Sequence, residues 1–169
     1  MNTSSQNTKP TYTFTTSPKF ICISYIILTI VLGLISLAST GAPLFDWSEL
    51  KMPFIMAKWV APLCFLLLFL LLAVSVCIML LTKVDHPETK KTNLILHLSV
   101  ITLFTLWPMF LMQFTLPIVS LVLIIANSLL MIFTTYRFTT TSLWAGILYI
   151  IATLATLIIL IYNFWIVLA

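Results

Sequence analysis

The chain reads as an all-α integral membrane bundle of five transmembrane helices. Three features of the sequence lead there. Of 169 residues, 62% are hydrophobic and only 7% charged, against about 25% charged in ordinary soluble domains. The mean hydropathy is +1.19. The stretches 20–45, 59–82, 92–136 and 138–169 contain no Asp, Glu, Lys or Arg, and a spanning helix needs roughly 20 apolar residues.

The first 19 residues, "MNTSSQNTKPTYTFTTSPK", are polar and read as a disordered arm. The apolar run that starts at Phe20 has no small-residue cleavage site directly after it, so it is expected to be a retained helix, about 20–38, and not a cleaved signal peptide. Residues 20–169 then form the transmembrane domain. The second helix is predicted at about 59–82. The stretch 92–136 is too long for one crossing and divides at "QFTLP" (113–117), where Gln113 and Pro117 mark a tight turn; this predicts helices at about 93–113 and 117–136. A fifth is predicted at about 142–167.

Within the third helix, "LFTLWPMFLMQF" (103–114) carries a proline in mid-run. Pro108 has no N–H to offer the Phe104 carbonyl, and an unsatisfied carbonyl in hydrocarbon costs several kcal/mol. Either a neighbouring helix or the Thr105 hydroxyl repairs that site, or a kink there opens a cavity beside Trp107.

Charge asymmetry sets the expected orientation. Lys9 and Lys19 in the arm, Lys83, Lys90 and Lys91 in the second loop and Arg137 in the fourth lie on one side, with Lys51 and Lys58 on the other. Positive loops stay in the cytoplasm, so the N-terminus is expected inside and the C-terminus outside, as a multi-pass protein of a bacterial inner (cell) membrane. The net charge of +4 is accounted for by loops facing anionic lipid and implies no nucleic acid.

Several chemistries are disfavoured. Cys22, Cys64 and Cys77 lie in predicted helices without a C-x-x-C pair, which argues against a thiol oxidoreductase. His97 is the only histidine inside a predicted span, so one chain cannot build a bis-histidine haem site in the membrane; a packed, hydrogen-bonded role suits it better than ligation. No span contains a carboxylate, which disfavours proton pumps, ion-coupled carriers and metal hydrolases. No nucleophile–base pair is visible, so an enzyme is not expected.

The polar groups inside the spans are neutral: Ser24, Thr29, Ser75, Ser99, Thr105, Ser120, Asn127, Thr156 and Asn163. Ser120 and Asn127 are seven residues apart, as are Thr156 and Asn163, so each pair shares a helix face. They serve either as hydrogen bonds between helices or as polar contacts inside a ligand cavity.

The first loop, "STGAPLFDWSELKMPFIMAK" (39–58), is far longer than a usual helix connection and too apolar for disorder. Asp46 and Glu49 have capping-box spacing, which starts a short helical turn carrying Trp47. With Trp47, Leu50, Lys51, Trp59, Val60 and Pro62 in that order, then Trp107, Pro108 and Phe110, and finally Tyr162, Asn163 and Trp165, the chain from about residue 20 resembles the tryptophan-rich sensory protein and translocator protein family (TspO/MBR). Four positions depart from the family's pattern: Ser48 stands for its Tyr, Cys64 for the helix 2 Trp, Phe104 for the helix 3 Asn, and Ile151 to Ala155 for the helix 5 Pro-Tyr and Trp. The C-terminal sterol-type motif lacks a basic residue after Tyr162, while a reversed pattern occurs at Lys19, Tyr25 and Leu28.

The resemblance implies a five-helix protein that binds an apolar or tetrapyrrole-like ligand, a porphyrin, haem or sterol-like molecule, for sensing or transport. Its ligand-binding residues would be Trp47, Trp59, Phe104, Trp107, Pro108 and Asn163, with Trp47 and Trp59 closing a lid. No catalytic residue or metal is expected. The expected partners are the lipid bilayer and the small molecule, with a second copy of the chain as a candidate. The alternative is a structural or accessory subunit of a larger membrane complex, in which Gly33, Ser36, Thr40, Ala152 and Thr156 support helix contact.

Overall fold

The computed structural model describes residues 18–40, 60–83 and 87–168. They form five α-helices: α1 (Pro18–Thr40), α2 (Val60–Leu81), α3 (Pro87–Pro108), α4 (Pro117–Thr141) and α5 (Leu143–Leu168), with no strand among the described residues. α3 continues into one π-helical turn, Met109–Gln113. Four stretches are long and apolar enough to cross a membrane: Leu63–Leu81, Glu88–Gln113, Pro117–Thr141 and Leu143–Leu168. The apolar part of α1, Phe20–Ser36, is shorter, but the helix has 23 residues and so measures about 34 Å.

Neighbouring helices form a ring in the order α1, α2, α5, α4, α3 and back to α1. Side chains from α2 and α3 meet in the middle. Large apolar side chains cover the outside of all five helices, as expected of a surface solvated by lipid, since lipid tails are as apolar as leucine. Exposed Trp144 and Trp165 sit 21 residues apart on α5, or about 32 Å at ~1.5 Å per residue. That matches a hydrocarbon core of about 30 Å with an interfacial Trp at each boundary.

The two ends differ chemically. Lys83, Lys90, Lys91 and Arg137 lie where α2 and α4 end and α3 begins; this is the basic end. Lys90 Nζ donates to the Leu80 carbonyl at 2.8 Å, placing a cation on the carbonyl-rich terminus of α2. At the other, neutral end, α1 finishes, α2 starts, and the π-turn, the start of α4 and the end of α5 come together; the described residues there carry no charge.

Two helices extend five or six residues beyond their predicted bounds. α3 starts at Pro87, six residues before the predicted 93, because proline loses nothing at a first helical position and Glu88 in the first turn complements the helix dipole. Lys90 and Lys91 therefore lie on a helix and not in a loop. α4 runs to Thr141, five residues past the predicted 136, so Arg137 is also helical and Ser142 alone joins α4 to α5. Its last turns are threonine-rich, but Thr134, Thr139 and Thr141 turn their hydroxyls onto the carbonyls of Leu130, Thr135 and Arg137, four residues back, and thereby stay helical.

The turn expected at "QFTLP" is present. The π-turn closes with the Phe114 N–H on the Met109 carbonyl at 3.2 Å, and the Leu116 N–H reaches the Phe110 carbonyl six residues back at 2.9 Å. This is a Schellman-type ending, which needs a left-handed residue just before Leu116. Thr115 fills that position with φ 50°, and Pro117 starts α4 in its first turn.

Candidate functional site

Along α3 the residues His97, Ile101, Phe104, Trp107, Pro108 and Leu111 are buried. Their spacing of three and four keeps them on one face, which looks into the ring. Proline removes the α-type bond at residue 108 and its ring crowds the turn before it. The helix responds by widening into the π-turn immediately afterwards, a local change that shifts the register of Leu111 and Met112, both buried. Thr105 does not repair the Phe104 carbonyl: its hydroxyl donates to Ile101 at 2.7 Å.

At the neutral half of the interior an aromatic cluster bridges α2 and α3. The Trp107 indole stacks on Phe65, with centroids 5.6 Å apart and planes at 20°. Phe104 lies 6.2 Å from Trp107 and 5.6 and 5.5 Å from Phe65 and Phe69. All four rings are buried. Toward the same end of the bundle, Asn163 Nδ2 of α5 donates to Ser120 Oγ of α4 at 2.8 Å.

The basic half carries a second polar layer. His97 Nδ1 and the Tyr149 hydroxyl share a hydrogen bond of 3.2 Å, and the rings of Tyr25, Phe138 and Tyr149 surround the imidazole at 6.0 to 6.3 Å. Asn93 Nδ2 donates to Thr141 Oγ1 at 2.9 Å. His97 is thus the packed, hydrogen-bonded residue expected of it.

Only some of the neutral polar residues make hydrogen bonds between helices. Ser75 donates to the Ala145 carbonyl at 2.8 Å and Thr156 to Met131 Sδ at 3.1 Å, so these hold helices together. Ser24 and Ser99 face outward. Asn127 differs: it is fully buried, and neither its Nδ2 nor its Oδ1 has a partner among the described residues. The same holds for Trp107 Nε1, Asn163 Oδ1 and Ser36 Oγ in the neutral half, and for Asn93 Oδ1 and His97 Nε2 in the basic half.

Of the residues expected to bind a ligand, Phe104, Trp107, Pro108 and Asn163 are therefore all interior, with Phe104 and Trp107 in direct ring contact. Trp47 and Trp59 lie outside the described residues. Sequence reasoning missed Phe65, Phe69 and Tyr149. Tyr149 had a visible signal: Ala145, Gly146, Ala152, Thr153 and Thr156 surround it at helical spacing, a stripe of small residues beside which a large ring packs inward.

Of the small residues expected to support helix contact, Gly33, Ser36, Ala152 and Thr156 are buried within the chain, while the side chain of Thr40 lies outside the described residues. A Cβ on Gly33 would stand 3.2 Å from Phe69 Cγ. Among the described residues no group of His, Cys, Asp and Glu is placed to hold a metal.

An apolar outer surface, interfacial tryptophans and a neutral polar interior define an integral membrane protein of the helical-bundle class. Neither a family model nor a curated protein nor a solved structure matches the chain.

Proposed function

We propose that the chain is a binding protein of TspO/MBR type, taking an apolar or tetrapyrrole-like small molecule into the neutral half of the bundle for sensing or transport, in a bacterial cell membrane with its basic end toward the cytoplasm. The observation that carries this reading is the set of unpartnered polar atoms on Asn127, Trp107 and Asn163. A buried polar group left unpaired costs about 1–3 kcal/mol, and hydrocarbon supplies no water to relieve it. A ligand that pairs with these atoms recovers that energy on binding. The Phe65–Trp107 stack offers it aromatic faces, and the π-turn after Pro108 sets the width of the helix beside it.

Titration of the detergent-purified protein with protoporphyrin, haem and a sterol tests the reading through quenching of tryptophan fluorescence. Saturable quenching by at least one of them, lost in Trp107→Leu, is the expected result. Absence of saturable binding by all three would overturn it in favour of an accessory subunit.

A further inference from the structure

We infer, resting on that ligand-binding reading, that the buried part of the ligand is electrically neutral and presents both a hydrogen-bond donor and an acceptor, as an alcohol or an amide does, and that Asn127 is the residue that reads it. Asn127 lies near the middle of α4, ten residues after Pro117 and fourteen before Thr141. Any group that reaches it reaches the centre of the bilayer, where a charge is most costly.

Among the described residues, nothing there could compensate a charge. α4 has no ionisable group before Tyr136 and Arg137, α5 has only tyrosines, and α3 has none after His97. His97 is engaged with Tyr149 in the basic half. Among the described residues of that half, the open hydrogen-bonding positions are two N–H groups and a carbonyl on Asn127, one N–H on Trp107, the carbonyl of Asn163 and the hydroxyl of Ser36. That set contains donors and acceptors in near balance. It suits a neutral ligand of mixed character and, among the described residues, offers a carboxylate no cation. Ser120, one stripe position away on α4, is already occupied by Asn163, which leaves Asn127 as the uncommitted polar side chain of that face.

The test compares protoporphyrin with its dimethyl ester, the same ring with and without two carboxylates, on wild type and Asn127→Leu in nanodiscs. Binding is read by tryptophan quenching after subtraction of partition into empty nanodiscs, and thermal stability is read in parallel. The expected result is that the diester binds wild type at least tenfold more tightly than the diacid. Asn127→Leu should weaken diester binding about tenfold while the melting temperature stays the same or rises, since an unpaired amide is replaced by an apolar side chain of similar size. Equal or tighter binding of the diacid would overturn the neutral-ligand inference while leaving ligand binding standing. A melting temperature that falls in Asn127→Leu with unchanged diester affinity would make Asn127 a structural residue and overturn its role. If neither porphyrin binds, the ligand-binding reading itself fails, and this inference with it.

Discussion

Asn163 near the end of α5 and Ser120 in the first turn of α4, 43 residues apart, are joined by a hydrogen bond of 2.8 Å that both side chains make inside the bundle. The bond is asymmetric in what it leaves behind. Removing the serine hydroxyl strands an amide whose Oδ1 already lacks a partner, whereas removing the amide strands only a hydroxyl that can rotate onto its own helix, as the other buried threonines and serines do. Ser120→Ala is therefore expected to destabilise by about 1–2 kcal/mol, and Asn163→Leu by less. A double-mutant cycle in thermal unfolding should give a coupling of about 0.6 kcal/mol, the average for hydrogen bonds between membrane helices, and at most about 1.7 kcal/mol. A coupling of zero would show the pair to be incidental.

Thr115 supplies a second prediction. A β-branched residue at φ 50° carries a cost of about 1–2 kcal/mol for the left-handed conformation, and glycine removes it while adding about 0.4–1 kcal/mol of unfolded-chain freedom. Thr115 is exposed and, among the described residues, its hydroxyl bonds only the adjacent Phe114 carbonyl, so little else changes. Thr115→Gly should raise stability by about 0.5 kcal/mol, or roughly 1–2 °C in melting temperature. A fall in melting temperature would show that the threonine side chain matters to the turn.

The contrast between Thr115 and its neighbours shows what could be read from the sequence. Gln113 and Pro117 announced the turn because helix stop and start signals are local, and five helices followed from the apolar runs. The positions of Lys90, Lys91 and Arg137 were misread because a charge in a membrane protein marks the end of hydrocarbon, which is not the end of a helix. The interior was harder. When a helix is apolar on every side, no moment separates the face toward lipid from the face toward neighbours. Ser120 and Asn127 were legible as one stripe, yet only the placement of Asn163 from α5 decides that the first is partnered and the second is not.

The two described glycines test close helix approach. At Gly146 an added Cβ would collide with Thr139, standing 2.6 Å from its Cα and closer still to its Oγ1, so backbone must move. At Gly33 the contact is 3.2 Å to the Phe69 ring, a side chain that can shift slightly. Alanine also gains about 0.8–1 kcal/mol of helix propensity at either site. Gly33→Ala is expected to be near neutral, while Gly146→Ala should lose about 1–2 kcal/mol net once the overpacking cost is included. Equal effects in thermal unfolding would contradict the close approach of Gly146 to Thr139 as the source of the difference.

Pro108 links the backbone to the ligand. Alanine there restores an N–H for the Phe104 carbonyl and removes the ring that forces the wider geometry, so the helix is free to continue in α form through residues 109–113. Proline inside a helix costs ~3 kcal/mol, but part of that has already been recovered by packing of the π-turn, whose Leu111 and Met112 are buried. Pro108→Ala is therefore expected to keep or modestly raise stability. The same change rotates Leu111 and Met112 away from their present neighbours and alters the interior beside Trp107, so porphyrin affinity should fall by about tenfold, or ~1.4 kcal/mol. Trp107→Phe gives the complementary result: it keeps an aromatic ring against Phe65 but removes the unpartnered N–H, and should lower affinity without lowering the melting temperature. If the protein binds porphyrin and neither substitution changes the affinity, the ligand lies elsewhere than beside the Trp-Pro step.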